Sequence, residues 1–251
     1  MANHAVESSP QTYARIGGAL YLLIIVVGGF TEGFVRTKLV VPGDVAATAR
    51  NLISSELLWR ITFAGQLTMY VCGVALVLIL YVLLRPVNAN LALLAAFFNL
   101  VSIAIEAVNS LTHLAPLLVL GNADYLKAFD PRQLQAATML SLELHEYGFA
   151  ISLTFFAFTL LLLGYLIFKS RYFPKTLGVL LTIGALCYLT NSLALFIAPA
   201  LEAIIFPAIL LPAGLAELSL CLWLMLFGVN VAKWKEQANR LPSPPSMTVA
   251  A

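Results

Sequence analysis

Five polar side chains, Asn99, Ser102, Glu106, Asn109 and His113, recur at steps of three, four, three and four residues through a largely apolar stretch. At ~100° per residue this spacing sets them on one stripe of a helix. A carboxylate and an imidazole on a membrane-length helix are costly to expose to lipid, so the stripe is expected to face protein or water. Such groups can move protons, hold cations or act as general acids and bases.

The other apolar stretches contribute Glu32, Gln66, Glu143, His145, Glu146, Asn191 and Glu217. A helix rises ~1.5 Å per residue, which converts sequence position into depth. Glu106 then lies ~22 Å from the inner end of its helix at Leu91, with His113 nearer the outer surface. Glu32 and Asn191 reach the outer half of their own helices. Gln66, then Glu143, His145 and Glu146, then Glu217 descend from the outer surface toward the middle. The inner halves Val74–Leu84 and Phe155–Phe168 are almost purely aliphatic and aromatic. A polar, acidic site in the outer half, closed below by an apolar plug, is the expectation. Its candidate members are Glu32, Gln66, Asn99, Ser102, Glu106, Asn109, His113, Glu143, His145, Glu146, Asn191 and Glu217.

Lys and Arg are absent from the span interiors, and Arg36 and Arg60 sit at the outer rim. Several carboxylates close together in low dielectric cannot all be ionised, so some are protonated, hydrated or shared with a cation. Asn99, Ser102, Asn109 and Asn191 read most simply as interhelical hydrogen-bonders. Glu106 and Glu217 lie deepest and are the strongest functional candidates. His145 and Glu106 form a possible metal-binding pair across helices, although no HExxH motif is present.

These side chains must be positioned by membrane helices. The chain has 251 residues, 61% hydrophobic and only 10% charged, with mean hydropathy +0.93. Soluble domains carry about 25% charged residues. Six apolar stretches, about 16–35, 61–84, 91–120, 139–168, 176–198 and 204–232, are each long enough to cross a ~30 Å hydrocarbon core. The expected fold is an all-α polytopic bundle of six transmembrane helices. Residues 1–15 form a polar lead, 16–232 the membrane domain, and 233–251 a disordered cytoplasmic tail. The first stretch is too long for a signal peptide and lacks a cleavage site, so it reads as a retained span.

The short connections Arg85–Asn90 and Lys169–Lys175 carry basic residues and no acid, which favours both termini inside. Pro42-Gly43-Asp44 introduces an amphipathic helix over Val45–Leu58, with Val45, Ala49, Leu52, Ile53 and Leu57 on its apolar side. Asp130-Pro131 reads as a second helix start. Cys72, Cys187 and Cys221 lie within apolar stretches at no metal or disulfide spacing. Net charge is only +2, with no basic run interleaved with aromatics, so nucleic acid is not an expected partner. The bilayer is the expected partner, with a homo-oligomer possible.

His145-Glu-Tyr-Gly, Leu160-Leu-Leu-Leu-Gly-Tyr-Leu-Ile-Phe-Lys-Ser and Phe173-Pro-Lys-Thr-Leu-Gly-Val-Leu-Leu occur in order. They follow Arg15-Ile-Gly-Gly-Ala-Leu-Tyr-Leu-Leu and Val41-Pro-Gly-Asp-Val-Ala-Ala-Thr-Ala. From about Arg15 to Asn230 the chain resembles the bacterial integral-membrane family called domain of unknown function 4386. The resemblance implies a multi-pass protein of the bacterial cell membrane and assigns no activity, cofactor or catalytic residue. Three roles fit the polar set: a carrier for a proton, cation or small cationic solute; a membrane-embedded enzyme acting on a lipid; or a non-catalytic partner or sensor.

Overall fold

The computed structural model describes residues 9–240, in which every regular element is helical. Six helices are long and apolar enough to cross a membrane. The first, α1, runs Pro10–Leu39. Ser9 caps it by accepting from the Gln11 amide at 3.3 Å, and Pro10 takes the first turn, where no amide is needed. Gly29–Arg36 within it is wound as a π-helix. Gly43, at φ 77°, then turns the chain, and Asp44 caps the amphipathic α2 (Val45–Ser54) through the Ala47 amide at 2.8 Å.

The next spans are α3 (Glu56–Leu84), α4 (Ala89–Val119), α5 (Pro131–Lys169) and α6 (Lys175–Ile197). A capping box of Asp130 and Gln133 starts α5. Short α7 (Pro199–Ile205) and a 3₁₀ turn lead into α8 (Leu211–Leu226), which completes the sixth span, and α9 (Val231–Ala238) follows.

The spans pack in a closed ring that follows chain order: α1 on α3, α3 on α4, α4 on α5, α5 on α6, α6 on α8, and α8 back on α1. Small residues allow the closest approaches. A Cβ built on Gly164 of α5 would come within 2.8 Å of the Gly178 carbonyl oxygen of α6. One on Gly18 of α1 would meet the Met225 backbone nitrogen of α8 at 2.6 Å. The half of the ring nearer Pro10 and Leu226, called the inner half as a label, is filled by Leu83, Leu84, Leu160, Leu166, Leu181 and Leu224. A smaller apolar cluster of Val35, Leu39, Leu52, Trp59, Leu117 and Leu142 closes the opposite end, labelled outer.

Several boundaries differ from the sequence expectation. The first span begins at Pro10 rather than near 16, because Ser9-Pro10 is a complete start signal within the supposed polar lead. The amphipathic helix ends at Ser54. It buries Thr48, Ala49 and Leu52 against the bundle, while Ile53 and Leu57 are exposed. The sixth span ends at Leu226, two residues before Gly228, whose φ of 66° takes the chain out of the helix. Residues 233–240 were expected in the disordered tail, yet Val231–Ala238 is helical. Asn230 caps its first turn, and the Trp234 indole donates to the Leu83 carbonyl at 3.0 Å, tying the helix to the inner end of the bundle. The tail at 241–251 and the lead at 1–8 lie outside the described residues.

The orientation is open to a direct measurement. Arg171, on the α5–α6 connection, and Asn122, between α4 and α5, are both exposed, at opposite ends of the ring. In a background lacking Cys72, Cys187 and Cys221, Arg171→Cys should be protected from an impermeant thiol reagent in intact cells. Asn122→Cys should be labelled. The reverse pattern would invert the topology and leave the ring unchanged.

Candidate functional site

The stripe on α4 faces the bundle. Ser102, Asn109 and His113 are buried and Asn99 and Glu106 half-buried, while Leu93, Leu100, Ala104 and Val108 opposite them are exposed. The stripe does not serve one site, however. Its outer part joins a histidine cluster, and its middle lines a cavity.

In the outer cluster, one ligand-type atom from each of Glu32, His113 and His145 lies within 4.8 Å of the other two. His113 is fully buried. The Trp59 ring stacks on it, with centroids 4.0 Å apart and planes 6° apart, and the indole N–H donates to the His113 carbonyl at 2.8 Å. Thr62 donates its hydroxyl proton to the Trp59 carbonyl at 2.7 Å. Its oxygen therefore accepts from His113 Nε2, at 3.1 Å. His113 Nδ1 is buried without a partner, and as the unprotonated nitrogen it presents a lone pair.

His145 reaches the same state by another route. Its Nδ1 lies 3.4 Å from the Asn109 carbonyl oxygen, which only accepts, so Nδ1 carries the proton. It also lies 3.1 Å from the Thr112 hydroxyl, whose own proton goes to Asn109. Nε2 is then the free nitrogen, and it lies 3.8 Å from Glu32 Oε1. The Asn109 carboxamide donates to the His145 carbonyl at 3.0 Å and holds α4 against α5.

Glu32 lies on the π-helical segment, a local winding often found where a side chain must be re-aimed. Gln66 donates to its Oε1 at 3.1 Å, and Arg36 Nε lies 3.7 Å from Oε2. Arg36 is held chiefly elsewhere, donating to Glu146 at 2.8 Å and to the Leu142 carbonyl at 3.3 Å. The Glu32 side chain is 40% exposed and forms the open edge of an otherwise buried cluster. On the rim, partial burial and then the Glu146 carboxylate hold the Glu202 carboxyl above its ordinary range.

The second polar centre is a cavity of about 130 Å³ inside the ring. It is walled by α1, α3, α4, α5 and α8, with Tyr21, Tyr70, Asn99, Glu106, Phe156 and Glu217 among its lining. Glu106 Oε1 is buried without a hydrogen-bond partner. Glu217 is satisfied, since Tyr21 donates to one oxygen at 2.8 Å and Tyr188 to the other at 2.5 Å. That carboxylate ties α1, α6 and α8 together. The Ser102 and Ser152 hydroxyls meet at 2.8 Å between α4 and α5.

Of the twelve residues singled out in the sequence, Glu32, Gln66, Asn109, His113, His145 and Glu146 fall in or beside the histidine cluster. Asn99, Glu106 and Glu217 line the cavity. Ser102 bridges two helices. Glu143 is exposed and Asn191 is buried, its Oδ1 unpartnered, in neither centre. Sequence reasoning passed over Trp59, Thr62 and Tyr70. With Gln66 they form a second inward stripe at steps of three, four and four along α3, a signal present in the sequence. Arg36, assigned to the rim, is only 12% exposed at its side chain.

Gly148 tests the fit at the α4–α5 contact. A Cβ there would overlap the Asn109 carboxamide, with Nδ2 at 2.9 Å, and drive it off the His145 carbonyl. Gly148→Ala should lower the thermal midpoint of detergent-solubilised protein, by a loss of about 1–3 kcal/mol. Gly214→Ala, where a Cβ meets no atom within 4 Å, should be neutral or gain up to ~1 kcal/mol. Equal midpoints for Gly148→Ala and the unaltered protein would refute the contact.

The chain is 28% identical over 146 residues to an uncharacterized protein of Archaeoglobus fulgidus, an alignment covering 56% of this chain and 71% of that relative. No solved structure matches. Residues 16–228, from the body of α1 to the turn after α8, match the family described as domain of unknown function (DUF4386), and the chain belongs to that family.

Proposed function

We propose that this protein is a carrier for a small cationic solute of the organic ammonium class, acting in the bacterial cell membrane with both termini inside. The cavity within the ring is its binding site. The observation that carries this reading is the Glu106 carboxylate, whose buried oxygen has no partner at the edge of a cavity with no basic lining residue. An ammonium group would supply the missing counter-charge, and Tyr21, Tyr70 and Phe156 offer ring faces for its cationic head. An engineered cavity of about 150 Å³ holds benzene, so a solute of about that bulk suits this volume. Five of the six spans touch the cavity, so small tilts within the ring would change access to it. The apolar inner half, from Leu80 and Leu163 downward, closes the inner side in this conformation.

A membrane-embedded enzyme acting on a lipid is a second reading, supported by the separate cluster of Glu32, His113 and His145. The two readings draw on different residues.

Uptake of tetramethylammonium, a cation close to benzene in bulk that crosses lipid poorly, into proteoliposomes tests the carrier. Glu106→Gln should reduce protein-dependent uptake at least tenfold, because a hydrogen bond or contact to a charged group is worth about 1.5–3 kcal/mol. Glu143→Gln, on the exposed face of α5, should leave it unchanged. Absence of uptake by the unaltered protein, or equal uptake by Glu106→Gln, would reject this reading.

A further inference from the structure

We propose that Glu32, His113 and His145 form a binding site for one divalent transition-metal ion of the zinc class, independent of the solute cavity. The cluster is more than an accidental meeting of polar groups, because its hydrogen bonds select the protonation pattern that a metal requires. A histidine ligates as neutral imidazole, and its second nitrogen usually donates to a carbonyl or hydroxyl that fixes the tautomer. Both histidines meet this condition with different partners. His113 Nε2 is held by Thr62, whose proton is committed to the Trp59 carbonyl. His145 Nδ1 is held by the Asn109 carbonyl and the Thr112 hydroxyl. In each ring the nitrogen left over is the one that binds metal, and His113 Nδ1 is fully buried with nothing else to satisfy it.

Two imidazole nitrogens and a carboxylate oxygen are a donor set used by zinc and, with open positions, by ferrous iron. One ligand-type atom from each of the three residues lies within 4.8 Å of those of the other two. A tetrahedral ion with bonds of about 2.0–2.1 Å would draw them to roughly 3.4 Å apart, a closure within reach of side-chain rotation. Glu32 supplies the charge and the entry. It is the part-exposed member, and Gln66 already orients its carboxylate. The nearby Arg36 guanidinium is opposed by Glu146 at 2.8 Å, which leaves the Glu32 charge available to the ion. Trp59 fixes the His113 ring in its plane. Three protein ligands leave a fourth position for water or substrate, the arrangement of catalytic rather than structural zinc sites.

The full chain should be purified without a polyhistidine tag and with His4→Ala, so that His113 and His145 are its remaining histidines. After chelation and dialysis it should be loaded with Zn²⁺, Co²⁺ or anaerobic Fe²⁺. One equivalent of Zn²⁺ or Fe²⁺ should be retained, and Co²⁺ should give the intense visible bands of a low-coordinate site. Glu32→Gln preserves the shape of the part-exposed ligand and should weaken metal binding 10- to 100-fold. His145→Gln should abolish the cobalt spectrum. Misfolded variants are recognised by the thermal midpoint without metal. At equal Zn²⁺ the rise in that midpoint should be smaller in Glu32→Gln than in the unaltered sites. Glu106→Gln should keep full metal binding, which separates this site from the solute cavity. Absence of stoichiometric metal in the unaltered sites would overturn the proposal. So would retention of metal by folded Glu32→Gln and His145→Gln with an unchanged spectrum.

Discussion

A polar group facing hydrocarbon has no water to turn to, and most of this structure follows from that constraint. Ser and Thr side chains largely return a hydrogen bond to their own helix, as Thr154, Thr182 and Thr190 do to carbonyls four residues earlier. Carboxylates and imidazoles have no such local escape. They must be gathered inside the ring and paired across helices, and the pairs bind the spans together. Glu217, held by Tyr21 and Tyr188, joins three spans through one carboxylate. Asn109 and the Ser102–Ser152 contact join α4 to α5. The closed ring is therefore both the cause and the product of the buried polar groups.

Against this background the unpaired atoms stand out. Burying a polar atom without a partner costs about 1–3 kcal/mol. Glu106 Oε1 and His113 Nδ1 both bear that cost, one at a cavity and the other in a histidine cluster. Glu217, equally deep, does not, and its role is accounted for by the helices it joins. Depth alone ranked Glu106 and Glu217 as equals. Hydrogen bonding distinguishes them.

The spans were legible because membrane crossing imposes a length and a composition that few other structures share. The inward face of α4 was legible because helical periodicity makes polar residues visible against an apolar helix. Division of the polar residues into two centres was not, since depth fixes height in the membrane and not angle around the ring. Tyr21 and Tyr188 were passed over because an aromatic residue in an apolar helix resembles core until its hydroxyl is seen to have a partner. The helical stretch after the last span was missed because its anchor, Trp234 to the Leu83 carbonyl, spans 151 residues of sequence.

The π-helical winding of α1 divides that helix into two registers. Tyr21, before the wide turns, is aimed at Glu217 on α8. Glu32, within them, is aimed at His145 on α5. A uniformly α-helical segment would rotate everything beyond Gly28 about the helix axis relative to Tyr21 and could not keep both appointments. Gly29 and Gly33 have no atom within 4 Å of where a Cβ would stand, so close packing does not explain the glycines of this segment. The π winding of Gly29–Arg36 is thus what lets one helix serve both polar centres, Tyr21 beside the cavity and Glu32 beside the histidines.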